Sequence, residues 1–306
     1  MSQVRTPLKG YLFYLLAASM WSVNGTVSKT LLATGIDATR LSQLRVTAAF
    51  IIMVIVVLLT RRDAFKIRSR EEFKLLLLYG VLGVTMTQWL YFIAIELLPV
   101  GIALVIEFTA PLMVAMWVKF VWDHHIPKLT WLGLAIAITG LVLVTEVWSG
   151  FQLNALGVLS AAGAAAALAI YFLVGEKILH QDNPRDTVSM TMWGFGFASL
   201  FWALWQPWWS FPWNFLQGEG QLAEFTFSYA SMSIWMIVMG TAVPFWLVLE
   251  AIKHLSAQQA SATGMTEPIL ASIVAWIILG EVLSGWQILG GLVTLSGILL
   301  AEYARK

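Results

Sequence analysis

The chain has 306 residues, of which 59% are hydrophobic and only 11% charged, and its formal net charge is +1. That leaves too little polar surface to cover a water-soluble globule, so the solvent for most of the molecule is a lipid bilayer. Cysteine is absent, which excludes disulfides, thiolate metal sites and thiol nucleophiles.

Apolar stretches of about 20 residues, the length that crosses hydrocarbon, recur from Tyr11 almost to the C-terminus. The first, 10–33, is too long and, at Ser22 and Asn24, too polar for the core of a signal peptide, and reads as a retained helix. Charge clusters and Pro or Gly punctuation place further helices at 40–60, 72–96, 100–122 and 128–147. A second set follows at 154–178, 186–207, 229–252, 256–280 and 284–303. The pattern predicts an all-α integral membrane protein with ten transmembrane helices. The one long connection, 207–228, carries Trp208, Trp209, Phe211, Trp213 and Phe215 and suits a loop at headgroup depth.

With the N-terminus in the cytoplasm, the inner side receives Arg5, Lys9, the run from Arg61 to Lys74, Lys119, Lys128, Lys177, Arg185, Lys253, Arg305 and Lys306. Only Lys29, Arg40 and Arg45 fall toward the outer side. This positive-inside asymmetry puts both termini in the cytoplasm.

Residues 94–145 overlie 251–302 without a gap at an offset of 157, pairing Ala94 with Ala251, Thr109 with Thr266, Pro111 with Pro268, Gly133 with Gly290 and Gly140 with Gly297. The front halves align near Gly10 on Gly157. Internal duplication is the better reading, with residues 1–150 as one five-helix repeat and 151–306 as the other. Five is odd, so the second copy enters the membrane from the opposite face, as in the inverted repeats of secondary transporters.

Proline interrupts the fourth helix at Glu107-Phe108-Thr109-Ala110-Pro111 and the ninth at Gly264-Met265-Thr266-Glu267-Pro268, and Pro244 predicts a third break in the eighth. Each proline removes a backbone donor and frees a carbonyl that must find protein or water. Symmetry-related breaks point to a midplane binding and gating region; a packing kink is the plainer alternative. Glu107 and Glu267 are the deepest carboxylates, and an ionised side chain there costs at least about 2.5 kcal/mol. Glu267 therefore binds a substrate ammonium, exchanges a proton, or accepts backbone N–H groups at the break. Nothing in the sequence assigns Glu107 to one of these.

Trp21, Ser22, Asn24, Met86, Gln88, Trp89, Tyr171, Thr241, Trp246, Met265 and Thr266 lie at similar depth and are candidates to line the cavity, although each alone is more often a packing residue. The small-residue run Ser160 to Ala167, and the glycines at 133, 140, 290 and 297, mark close helix packing. His124, His125, His180 and His254 all fall at cytoplasmic helix ends, where no metal set or nucleophile triad can be assembled. An embedded enzyme is disfavoured, and no cofactor is implied. Apart from Arg45 and Lys29 near the outer side, no basic residue lies in the membrane, so a neutral, zwitterionic or weakly cationic small molecule fits better than a polyanion.

The segment Thr266-Glu267-Pro268-Ile269-Leu270, then Ala275-Trp276-Ile277-Ile278-Leu279-Gly280-Glu281, Gly290-Gly291 and Ser296-Gly297, together with Ala18-Ser19-Met20-Trp21-Ser22 and Arg45, resembles the drug/metabolite transporter superfamily, specifically ten-helix members with two EamA-type domains. Ala110 departs from the glutamate that the pattern has before Pro111, and Asp123-His124 stands near where Glu281 falls in the second copy. The resemblance implies a basket of helices around a central cavity, the fifth and tenth helices at the periphery, and alternating access. It also implies export of amino acids or related metabolites across a bacterial inner membrane. Amino acid exporters, including those for aromatic amino acids, are the leading subgroup, and drug, sugar and nucleobase carriers remain open. The implied partners are a small-molecule substrate and the bilayer, with no nucleic acid and no obligate protein. The rival class, a membrane receptor or scaffold without turnover, would need a soluble domain for which the apolar stretches leave no length.

Overall fold

The computed structural model describes residues 6–146, 154–222, 224–279 and 284–304. Arg5, Gly280, Glu281, Arg305 and Lys306 lie outside the described residues.

The first set of helices is α1 (Pro7–Leu32), α2 (Ala38–Thr60), α3 (Arg70–Leu97), α4 (Val100–Glu107), α5 (Ala110–Phe120) and α6 (Lys128–Val144). The second is α7 (Ala155–Leu179), α8 (Thr187–Trp205), α9 (Tyr229–His254), α10 (Ala257–Gly264), α11 (Glu267–Leu279) and α12 (Gly285–Tyr303). Seven described spans, α2, α3, the consecutive α4–α5 (Gly101–Phe120), α7, α8, α9 and α12, are long and apolar enough to cross a membrane, and α6 is a shorter apolar one. All ten predicted segments are helical, the fourth and ninth as the consecutive pairs α4–α5 and α10–α11. Polar side chains start several of them. Asn154 and Asp186 accept the N–H groups of Gly157 and Ser189, while Ser256 with Gln259 and Ser284 with Gln287 form reciprocal capping boxes.

Both predicted proline breaks are present. Thr109 Oγ1 donates to Ile106 O at 2.7 Å and Thr266 Oγ1 to Thr263 O at 2.7 Å, so equivalent threonines close the last turn before each interruption. Pro244 differs from the expectation, because α9 runs through it. The irregularity is instead a wide π turn at Val238–Ala242, and α3 carries its counterpart at Tyr79–Thr85 without any proline. In both turns a threonine hydroxyl reaches five residues back, Thr241 to Met236 O at 2.8 Å and Thr85 to Gly80 O at 3.0 Å.

The 207–228 connection is more ordered than a plain loop. Two 3-10 turns lead into an antiparallel hairpin of β1 (Glu219–Leu222) and β2 (Phe225–Ser228). Every residue of β2 is exposed, although its sequence Phe225-Thr226-Phe227-Ser228 alternates apolar and polar side chains as a strand does.

Tyr11 Oη donates to Glu302 at 2.5 Å, placing the two chain ends at one face of the bundle, the terminal face. A Cβ built at Gly220 of β1 would lie 3.0 Å from Thr30, so the hairpin covers the opposite end of α1. Contacts between the two sets come in swapped pairs. Gly10 lies against Leu255 and Gly157 against Leu98; Gly83 lies against Tyr171 and Gly240 against Asn24. The antiparallel pair α6 and α12 repeats this pattern. Gly133 meets Ala301 and Gly290 meets Val144, while Gly140 meets Thr294 and Gly297 meets Ala137. Adding 157 to one member of each α6–α12 contact and subtracting it from the other yields its twin, the signature of a two-fold axis passing between the helices near Ala137 and Thr294. A Cβ at Gly133 would lie 2.6 Å from Gly297 O, and one at Gly290 would lie 2.7 Å from Gly140 O. Backbones this close leave no flexible group to move aside. Gly140→Ala is therefore expected to cost about 1–3 kcal/mol, read as a lower melting temperature in detergent. Gly25→Ala, whose added carbon meets nothing within 4 Å, should melt like the parent.

At the terminal face Arg185, before α8, ties down the segment after α2. Its Nη1 donates to Glu72 Oε1 at 2.6 Å, Nη2 to the carbonyls of Ala64 and Lys66 at 2.7 and 2.9 Å, and Nε to Ser189 Oγ at 2.8 Å. Arg40, at the start of α2, binds the segment after α8 in the same manner but with neutral partners, Pro207 O at 2.9 Å, Gln43 Oε1 at 3.0 Å and Ser210 Oγ at 2.7 Å.

Candidate functional site

An α-helical carbonyl normally accepts the N–H four residues on, and for Gly240 that residue is Pro244, which has none. Two side chains use the freed oxygen. Arg45 Nη2 donates to Gly240 O at 2.6 Å and Trp21 Nε1 donates to it at 3.1 Å. Arg45 Nε also donates to Thr241 Oγ1 at 2.5 Å, and the guanidinium lies 5.4 Å from the Phe92 ring centre. The π turn, the proline and α2 thus hold one edge of a buried guanidinium. Its Nη1 has no hydrogen-bond partner among the described residues, and the residue lines a cavity.

That cavity, of ≈ 80 Å³, lies between α1, α2, α3, α4, α7, α9 and α11. Of the predicted lining, Trp21, Asn24, Gln88, Glu107, Tyr171 and Glu267 meet there. Glu107 ends α4 immediately before one break and Glu267 begins α11 immediately after the other, so the two interruptions deliver both carboxylates to one place. Glu107 is 7% exposed and Arg45 4%. Neither carboxylate has an ion pair within 4.0 Å or a side-chain hydrogen bond among the described residues. Two amide oxygens on the wall, Asn24 Oδ1 and Gln88 Oε1, are buried without partners as well. Such groups are costly unless something supplies their hydrogen bonds.

The structure corrects several expectations. Arg45, expected only as a basic residue in the membrane toward the outer side, is part of the cavity wall. Ser22 faces away, bonding Ala18 O and Glu267 O and lining a separate apolar groove between α1, α9, α11 and the hairpin. Thr241 stands behind Arg45 as its support. Trp89 packs against Phe201, Trp202 and Trp205 of α8, Met265 is wholly buried in the core, and Thr266 is occupied in closing the helix break. Met86 and Trp246 do not reach the cavity either. Residues at one depth point around the full circle of a helix, so depth without a facing direction overestimates a lining. Tyr14, Gly25, Thr87, Tyr91, Phe108 and Phe245 do line it and had no distinguishing signal beyond being aromatic or small. Arg45 had one, as the single basic residue in the body of α2.

The open space stops partway. Toward the terminal face it is filled by Tyr79, Tyr171, Phe172, Phe195 and Phe245, whose rings pack with centres 5.0–5.6 Å apart. Through the repeat, Tyr171 and Phe172 stand where Asn24 and Gly25 stand on the hairpin side, and Phe245 stands where Gln88 does. One half of the pseudo-symmetric cavity is polar and open, the other aromatic and shut. Among the described residues no group of three or more His, Asp or Glu side chains could hold a metal ion.

Comparison with known proteins agrees with this architecture. A family profile described as the EamA-like transporter family matches twice, over residues 8–146 and 155–303. The threonine/homoserine exporter RhtA of Escherichia coli K12 is 28% identical over 251 residues, 80% of this chain and 76% of its own. The uncharacterized transporter YdfC of Bacillus subtilis is 25% identical over 229 residues, 74% of this chain and 71% of its own. A solved crystal structure superposes with a TM-score of 0.74 at 16% identity, covering 97% of both chains, which establishes the fold.

Proposed function

The chain belongs to the EamA-like transporter family, and on that premise we propose that it exports small amino acids by alternating access around the central cavity. The observation that carries this reading is the meeting of an unpaired guanidinium edge with two unpaired carboxylates in one buried space. An α-amino acid supplies both missing partners, its carboxylate to Arg45 and its ammonium to the glutamates. Threonine and homoserine head the substrate class because a relative bears that name; the aromatic walls at Trp21, Tyr91 and Phe245 also suit larger side chains such as phenylalanine.

The proposal includes ten membrane crossings in two repeats, 1–150 and 151–306, inserted with opposite orientation. The two-fold pattern of glycine contacts supports it. It also places the terminal face in the cytoplasm of a bacterium, on the positive-inside asymmetry. The test is flux. The full chain in sealed proteoliposomes is expected to show saturable movement of labelled threonine, methionine or phenylalanine, with competition among them. No flux across a broad amino acid panel would overturn the assignment.

A further inference from the structure

Hydrogen-bonding capacity around the cavity is unevenly distributed. Among the described lining residues there is a single cationic donor, Arg45, with one edge already committed to Thr241 and Gly240. Against it stand two carboxylates without protein partners among the described residues, Glu107 and Glu267. With every group ionised the site carries one positive and two negative charges. Burial of the surplus carboxylate without compensation is costly, and in the empty site its simplest partner is a proton.

We propose that the cavity has places for two ammonium groups and takes diamino monocarboxylic acids of net charge +1 as substrates, exchanging each for one proton; this deepens, and rests on, the transporter reading above. A zwitterion with one amino group adds no net charge and seats with the site proton in place. A ligand with two amino groups sets its carboxylate on the free Nη1 edge of Arg45 and its α-ammonium at one glutamate. Its second ammonium replaces the proton on the other glutamate. That proton passes to water on the side from which the ligand came, and the loaded site is neutral as a whole. A simple amine lacks the carboxylate for Arg45, and a polyanion meets two carboxylates, so both are poorer fits.

L-lysine and L-threonine serve as probes of the full chain in sealed, lightly buffered proteoliposomes that enclose a pH dye. Lysine is expected to move against one proton per molecule and threonine against none. The same count is expected from calorimetry of the detergent-solubilised protein in buffers of different ionisation enthalpy, with one proton released per lysine bound. In Glu107→Gln and in Glu267→Gln, each checked for a monodisperse elution profile, the ratio of lysine to threonine flux should fall at least about ten-fold. Preparations that carry threonine but neither bind nor move lysine would overturn the inference and leave the transporter reading standing. So would lysine bound or carried with no proton released. Absence of both flux and binding for both amino acids would instead overturn the transporter reading itself.

Discussion

Replacing Arg45 by glutamine is expected to lower amino acid flux by about 100-fold, equivalent to about 3 kcal/mol, in protein that still elutes as a folded species. The size of the effect follows from what the guanidinium does. It is the one cation on the cavity wall among the described residues, and a charge-assisted hydrogen bond to a buried carboxylate contributes about 1.5–3 kcal/mol. Its loss also leaves Glu107 and Glu267 with no positive charge among the described lining residues. Glutamine keeps a donor near Gly240 O and Thr241, which preserves packing against α9 while removing the charge. Lysine keeps the charge but cannot grip Thr241 and Gly240 O with one edge while offering another to the ligand. Arg45→Lys should therefore recover only a minor part of the flux. Full activity in Arg45→Gln, measured as initial rates in proteoliposomes at matched protein content, would remove Arg45 from the site.

A second large effect is expected at the terminal face. Arg185→Ala should destabilise the protein by about 3–5 kcal/mol, because it leaves a buried carboxylate uncompensated. Glu72 and Arg185 are 6% and 2% exposed in their side chains, and the same guanidinium satisfies the carbonyls of Ala64 and Lys66. In thermal unfolding followed in detergent this corresponds to a shift of about 10 °C. Arg40→Ala removes the counterpart on the hairpin side, where the partners are neutral and the surroundings partly exposed, and should cost about 1 kcal/mol. Equal shifts for the two variants would show that burial of the Glu72 charge is not what sets the difference.

The helices and their pairing were legible because a bilayer imposes length and polarity on each crossing, and because a duplicated chain leaves coincident glycines and prolines. The Thr-x-Pro spacings at 109–111 and 266–268 located both interruptions, and with them Glu107 and Glu267. What stayed hidden depends on rotation about a helix axis. Trp89 and Gln88 are neighbours in sequence, yet one packs on α8 and the other lines the cavity, and a helix apolar on all faces has no stripe to tell them apart. The role of Arg45 was hidden for another reason. Its partner is a backbone carbonyl in α9, freed by a proline that the sequence could show only as a kink. The π turn of α3 had no signal, since no proline accompanies it.

The unlike halves of the cavity bear on how the carrier cycles. Opening the terminal side means separating Tyr79, Tyr171, Phe172 and Phe245, which exposes aromatic surface at about 25 cal/mol for each Å². Inverting the site carries the carboxylates of Glu107 and Glu267, which have no protein donor among the described residues. A bound ammonium supplies such donors; in the empty site a proton satisfies only one of the two carboxylates. On the proposed alternating-access reading the loaded protein is expected to invert more easily than the unloaded one, so that exchange of one substrate molecule for another outpaces net movement down a gradient in a proteoliposome flux assay.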